Sequence, residues 1–117
     1  MDICFEGVGQ VAATFQVSGE GVQPGMAVTL TGSGTVGLGT AGKLPCGVVL
    51  GGVRGGAAAV QIGGVVKVGY SGDTAPAVGW QSLACDGQGG VTTVTTGGLS
   101  CLVLAVDTDA ETAVIKL

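Results

Sequence analysis

The chain is a series of short apolar runs, rich in valine and threonine, that glycine-rich connections separate. Branched β-carbons favour extended backbone, and glycine adopts the positive φ angles that tight turns need. No window repeats apolar residues at helical spacing over two turns. The pattern therefore predicts an all-β fold, a small glycine-rich β-barrel or compact sandwich of about eight or nine short strands. The predicted strands are Val11–Val17, Met26–Thr31, Gly47–Leu50, Ala57–Ile62, Val65–Tyr70, Trp80–Ala84, Val91–Thr95, Leu99–Val106 and Thr112–Leu117.

Two predicted strands carry patterns that fix their place in a sheet. Leu99–Val106 is apolar on both faces, so it is expected to lie centrally. Thr112–Leu117 alternates, with Ala113, Ile115 and Leu117 on one face. One face of this last strand is therefore expected to contact the core.

The chain also matches itself at a shift of 55 residues. This match indicates one β-structured unit used twice, with chance similarity between two glycine- and valine-rich stretches as the alternative. We divide the chain into an N-terminal arm and first strand (1–24) and a β-barrel domain (25–117), with similar halves at about 24–62 and 79–117. The shift places Gly32 on Gly87, Val36 on Val91, Cys46 on Cys101, Val48 on Val103 and Ala58 on Ala113.

Charge and composition narrow the function classes. The chain has no histidine, which excludes Ser-His-Asp and Cys-His catalysis. Four basic and eight acidic residues give a net charge of −4, which argues against electrostatic binding to nucleic acid. The uncharged stretch from Gly21 to Gly42 is too rich in glycine, serine and threonine for a membrane span, and no basic residue precedes Lys43 to form a signal peptide. We predict no enzyme activity, no cofactor and no membrane contact.

Glycine-rich motifs resemble nucleotide sites without their context. Gly37–Lys43 fits a phosphate-binding loop except that Leu44 replaces the final Ser or Thr. Gly32–Gly37 fits the dinucleotide fingerprint. Neither is followed by a predicted helix whose N-terminus could meet a phosphate. We interpret both as accidents of composition.

Acidic residues offer two further hypotheses. Asp73-Thr74-Ala75 is similar to the signature of small homodimeric aspartic proteases, but its neighbours are typical of a surface turn. Asp107, Asp109 and Glu111 alternate as calcium ligands do, but they lack the glycine and the distal glutamate of an EF-hand loop. We favour an exposed acidic turn, and keep the protease using Asp73 as a minor alternative.

The four cysteines lack the paired spacing of zinc sites, so we predict no metal site. Cys46 and Cys101 occupy matching places in the repeat and suit small buried side chains. Reduced thiols are the default without a signal peptide, and a bridge between these two stays open.

Large side chains supply the candidate contact residues. Tyr70 and Trp80 are expected in the core or in a contact between subunits rather than in ligand stacking, and Phe5 either packs on its own domain or inserts into a partner. An exterior with so few charges is expected to be covered in a fixed assembly. The partner-binding candidates are Ile3, Phe5, Val8, Phe15, Tyr70 and Trp80.

The second half of the chain has an ordered layout of turn and strand residues. The segments that carry this layout are Gly79-Trp80, Asp86-Gly87-Gln88-Gly89, Thr96-Gly97 and Thr112-Ala113-Val114-Ile115-Lys116-Leu117. With this layout, the chain from about Gln23 onward resembles the small decoration, or cement, proteins of tailed bacteriophages and prophages. One departure is Leu102-Val103-Leu104-Ala105, where family members usually have Ile-Gly-Val-Ala.

The resemblance implies a β-barrel that forms trimers on the exterior of a capsid, with the major capsid protein as partner. It implies a virion protein that is assembled in the bacterial cytoplasm. Residues 1–10 are the candidate for an arm that docks on the shell, through backbone hydrogen bonds to an exposed strand edge. The alternative is a β-sandwich module of a phage tail or bacterial surface protein that binds a glycan or a peptide.

Overall fold

The computed structural model describes residues 10–72 and 75–117, and every regular element within these ranges is a β-strand. The prediction of an all-β fold is confirmed. The ten strands are β1 (Val11–Val17), β2 (Ala27–Gly32), β3 (Thr35–Gly37), β4 (Gly47–Val49), β5 (Ala57–Gly63), β6 (Val65–Gly69), β7 (Gly79–Cys85), β8 (Val91–Thr93), β9 (Leu99–Asp107) and β10 (Thr112–Lys116).

One strand of the structure was not predicted from the sequence. Thr35–Gly37 forms β3, whereas the nine predicted strands are all present with ends within two residues of those expected. β3 is only three residues long and follows Gly34, which turns the chain at φ 63°. A segment so short and so close to glycines carries no alternation that could mark it as a strand.

Strands β1 to β5 form a closed barrel, which we call the barrel unit. The strand order is β1-β3-β2-β4-β5, and β5 pairs back onto β1 in antiparallel fashion. Glycine permits close approach inside it, because a Cβ at Gly47 would collide with the carbonyl oxygen of Gln61. The interior is filled by buried Val28, Val36, Val49, Ala58 and Val60, with Phe15 and Val17 packed against them.

Strands β6 to β10 form a five-stranded sheet, which we call the open unit. Its order is β6-β10-β9-β7-β8, so the doubly apolar β9 is central, as predicted. The edge strands β6 and β8 approach each other at one bridge, between Tyr70 and Val91. There the Ser71 amide donates a hydrogen bond of 2.9 Å to the Val91 carbonyl oxygen.

The two units share one topology. Taking β6 to β10 as the counterparts of β1 to β5, the neighbours of each strand are the same in both units. The bridge at Tyr70 corresponds to the parallel pairing of Val17 with Val36 in the barrel unit, where the Ser18 amide donates to the Val36 carbonyl oxygen at 2.8 Å. The open unit is therefore the same β structure with its last pairing reduced to a single bridge.

The units meet through the outer surface of the barrel unit. Ala27 and Val48, which pair across β2 and β4, belong to the buried cluster that fills the open unit. Next to Val48 on β5 lies Gln61, 2% exposed, whose Nε2 donates to the carbonyl oxygens of Gly63 at 2.9 Å and Val65 at 3.1 Å. The amide hydrogen bonds satisfy a buried polar side chain. Apolar packing joins the two units, because outward-facing side chains of the barrel unit complete the core of the open unit.

Candidate functional site

The outer surface of the open unit carries an exposed aromatic side chain. Trp80 on β7 is 68% exposed and lies directly opposite Leu102 on β9. Residues paired across antiparallel strands project to the same face, so the two side chains are neighbours. Val78, which immediately precedes β7, is 67% exposed.

The register extends this surface across the sheet. Leu102 pairs with Lys116 on β10, and in a second row Ala105 pairs with Val114, which pairs with Lys67 on β6. Leu102, Ala105 and Val114 are partly exposed, and both lysines are exposed. We call this surface the Trp80 face; it consists of Lys67, Trp80, Leu102, Ala105, Val114 and Lys116.

The opposite side of the same strands forms the core. Cys101 and Val103 on β9 and Ile115 on β10 are each about fully buried, at 1%, 0% and 1% exposure. The two apolar faces that the sequence of β9 shows are therefore one core face and the Trp80 face. A soluble sheet normally presents polar side chains on its second face. The apolar centre of the Trp80 face thus makes it the candidate interaction surface among the described residues.

The structure separates the sequence-predicted contact residues. Phe15 is half-buried against the interior of the barrel unit, and Tyr70, 8% exposed, belongs to the core of the open unit. Of the described candidates, Trp80 has its ring on the surface. Ile3, Phe5 and Val8 lie outside the described residues.

Sequence reasoning missed Leu102 and Val114 as members of this surface. Their signal was present in the pattern: β9 is apolar at both odd and even positions, and Val114 is an apolar residue among Thr112 and Lys116 on the outer face of β10. The irregular register between Val114 and Ile115 shifts the pairing by one residue, so simple alternation along β9 does not give the faces.

The glycine-rich segment Gly37–Lys43 serves packing. The Gly42 amide donates to the Cys85 carbonyl oxygen at 2.9 Å, and the Cys85 amide donates to the Lys43 carbonyl oxygen at 2.8 Å. A Cβ at Gly39 would lie 2.7 Å from the Cys85 Sγ, so only glycine allows this contact. The segment lies against β7, which occupies backbone groups that a phosphate-binding loop would turn toward its ligand.

The side chain of Asp107 stabilises the acidic turn between β9 and β10. The Asp107 Oδ1 accepts hydrogen bonds from the amides of Asp109 at 3.0 Å and Ala110 at 3.1 Å. No group of three metal-binding side chains occurs within residues 10–72 and 75–117. Asp73, the residue of the protease alternative, lies outside the described residues.

Three of the four cysteines lie among the described residues, Cys46 in the barrel unit and Cys85 and Cys101 in the open unit. Burial raises the pKa of the Cys46, Cys85 and Cys101 thiols, and for Cys85 the negative charges of Asp86 and of a Cys46 thiolate raise the pKa further. All three are free thiols, so the structure contains no Cys46–Cys101 bridge. Raised pKa values keep the thiols neutral and poorly nucleophilic at neutral pH.

Two open clefts follow the junction of the units. One, of about 440 Å³, is lined by Val48 and Gln61 of the barrel unit and by Val65 to Lys67 of the open unit. The other, of about 380 Å³, includes Tyr70 and the carboxylate-bearing residues Asp86 and Glu111. Trp80 lines neither cleft. A ligand that stacks on Trp80 would therefore bind on the sheet face, outside both clefts.

The comparisons with known proteins assign no family. No protein-family model matches the chain, and no curated protein is significantly similar to it. The described residues form no helix that is long and apolar enough to cross a membrane.

Proposed function

We propose that the chain is a non-enzymatic phage head decoration protein, which binds the outer surface of the capsid shell as an oligomer and stabilises it. The observation that carries the proposal is the Trp80 face on a protein whose whole sequence has only twelve charged residues. On this proposal the protein is part of the virion exterior, and its direct partner is the major capsid protein.

The low charge of the chain favours association over a freely soluble monomer. Charged residues make up 10% of the chain, against about 25% in an average soluble domain. Trp80, Val78 and Leu30 are each more than half exposed, at 68%, 67% and 57%. Exposed apolar side chains on a weakly charged protein favour association. A permanent assembly uses that tendency, because it buries the apolar surface in defined contacts.

The resemblance to decoration proteins adds a second support. The segment Asp86-Gly87-Gln88-Gly89 of the shared layout forms the turn between β7 and β8. There the Asp86 Oδ1 accepts hydrogen bonds from the amides of Gln88 at 2.7 Å and Gly90 at 3.0 Å. These residues have a clear role in the fold, and the resemblance supplies the link from this fold to a capsid.

Stabilisation of a shell follows from binding alone. A protein that binds the assembled shell but not its dissociated subunits shifts the equilibrium toward the shell. An oligomer that contacts several capsid subunits at once combines weak contacts into a long-lived one. No catalytic group is required for this activity.

The test is reconstitution on shells. On this proposal, the genome that encodes the chain also encodes a major capsid protein. Heads are assembled from that protein, and the purified chain is added. We expect co-sedimentation, added density on the shell exterior by electron microscopy, and slower release of packaged DNA on heating. A variant that lacks residues 1–10 is expected to remain a folded oligomer and to bind the shells more weakly. Absence of the full-length protein from the sedimented heads would contradict the proposal.

A glycan- or peptide-binding module is the second candidate, and the exposure of Trp80 favours it. An exposed aromatic ring can stack on a sugar or on an apolar side chain. Because Trp80 is the only tryptophan in the chain, ligand binding on it would change the intrinsic fluorescence. Saturable quenching by an oligosaccharide or peptide, lost on Trp80→Ser, would support this candidate over the first.

A further inference from the structure

The Trp80 face is the one side of β9 that the described chain leaves uncovered. Trp80 is 68% exposed, and Leu102, Ala105 and Val114 between it and Lys67 are partly exposed. Tryptophan contributes most to protein–protein contacts when neighbouring apolar side chains exclude water around it. Trp80 and Leu102, placed opposite each other, have this arrangement.

In the barrel unit, the pair of side chains that is equivalent to Leu102 and Lys116 is covered by another part of the chain. Val48 pairs with Gln61 between β4 and β5, and Leu102 pairs with Lys116 between β9 and β10. The strand register therefore makes Leu102 the counterpart of Val48, one residue away from the Val103 that the sequence match gave. Val48 and Gln61 are each 2% exposed, because the open unit lies against this part of the barrel unit. In the barrel unit, then, the row is covered by another five-stranded unit of the same topology. Within residues 10–72 and 75–117, no other unit covers the corresponding row of the open unit.

Charge points to the same partner. The six residues of the Trp80 face include Lys67 and Lys116 and no acidic residue. The remainder of the chain holds the other two basic residues and all eight acidic ones. All eight acidic residues lie outside this face, so its two lysines would meet carboxylates where the face contacts a different surface of the second copy, and electrostatic complementarity of this kind guides association.

We propose that the Trp80 face binds a second copy of this chain, with Trp80 and Leu102 at the centre of the contact. The inference deepens the proposed function, on whose oligomer it rests, by naming the surface that forms it. The contact is made between copies in solution, so it is tested on the isolated protein. Shell binding is measured separately, which keeps the two proposals distinguishable.

The single tryptophan reports on the contact directly. In the associated state, burial of Trp80 is expected to shift its emission to shorter wavelength and to protect it from iodide quenching. Dilution through the micromolar range should reverse both effects, in step with a fall in mass by sedimentation equilibrium. A protein that stays monomeric, with Trp80 quenched to the same extent at every concentration, would overturn the proposal.

A matched pair of variants tests the surface. Leu102→Glu places a charge in the Trp80 face, whereas Leu44→Glu makes the same change at a residue of the barrel unit that is 50% exposed. Both retain Trp80 as the reporter. We expect Leu102→Glu to weaken self-association by about 30-fold or more, as for a central contact residue. Leu44→Glu should associate as the unmodified chain does. Equal behaviour of the two variants would overturn the proposal.

A further variant tests the proposal if the first one does not fold. If Leu102→Glu fails to fold by far-ultraviolet circular dichroism, Trp80→Ser replaces it, since an exposed side chain contributes little to the core. A folded Trp80→Ser protein that keeps the mass of the unmodified chain would also overturn the proposal. A monomer that still binds shells would refute this contact alone, and an oligomer that ignores shells would refute the decoration function alone.

Discussion

The barrel unit and the open unit share a strand order but end differently. In the barrel unit β1 and β3 pair at two positions and close the barrel, whereas β6 and β8 meet at one bridge. The core of the open unit includes Ala27 and Val48 from the barrel unit. A sheet whose inner face receives side chains from outside cannot close fully around its own interior. Closure and docking are thus alternative ways for this topology to bury its apolar face.

Side-chain size at equivalent positions agrees with this difference. Leu83, Ile115 and Tyr70 of the open unit stand where the barrel unit has Val28, Val60 and Val17. Three larger side chains give the open unit more apolar volume to place, and its interior is completed by residues of its neighbour. Phe15 and Val68 form an exception, with the larger residue in the barrel unit.

The largest expected effect compares the two interiors. Leu83 and Val28 occupy equivalent places and are both 0% exposed. Leu83→Ala should lower the free energy of unfolding by about 2–5 kcal/mol, and Val28→Ala by less, since it removes fewer buried carbons. Because residues of the barrel unit complete the core of the open unit, each variant should unfold in a single transition in urea. Ser100→Ala, on the exposed side of β9, is the control and should change the free energy by no more than about 0.5 kcal/mol.

Independent units would give another result. A Leu83→Ala protein that unfolds in two steps, with one step at the midpoint of the unmodified chain, would show that the barrel unit does not depend on the open unit. The m-value distinguishes the two cases, because it scales with the surface exposed in each step.

A smaller effect is expected at the junction. Gln61→Met keeps the shape but removes the amide that donates to the carbonyl oxygens of Gly63 and Val65. An unsatisfied buried carbonyl costs about 1–3 kcal/mol, so the urea midpoint should fall accordingly. Lys116→Gln, at the equivalent position of the open unit, places the same amide on an exposed surface and should leave the urea midpoint of the dissociated protein unchanged. Equal midpoints for Gln61→Met and the unmodified chain would show that these hydrogen bonds do not stabilise the junction.

The contrast between the units also explains what the sequence could reveal. Alternation and glycine placement are local, so β1 is predicted with both of its ends and β9 with its central position. Whether an apolar face of β9 meets the core or solvent depends on how the units pack, which no local pattern encodes. Tyr70 and Trp80 each follow a glycine at a strand end, yet one is 8% and the other 68% exposed. Their different surroundings arise from tertiary packing alone.

The smallest expected effect is a dependence of stability on pH. Burial raises the pKa of the Cys101 thiol in the folded open unit, whereas in the unfolded chain this thiol has its usual pKa of about 8.5. As pH rises past that value, the unfolded state loses its proton first. The folded state therefore binds more protons, and stability must fall. This contribution is fully present below the unfolded pKa and is lost as pH rises through the folded pKa.

Removal of single thiols would assign this loss to one unit. Cys101 and Cys85 of the open unit are 1% and 2% exposed, whereas Cys46 of the barrel unit is only half-buried. Urea midpoints measured between neutral and alkaline pH, with a reductant present, should fall less steeply for Cys101→Ala than for the unmodified chain. Cys46→Ala should change the slope less. If both variants keep the slope of the unmodified chain, other groups cause the alkaline loss.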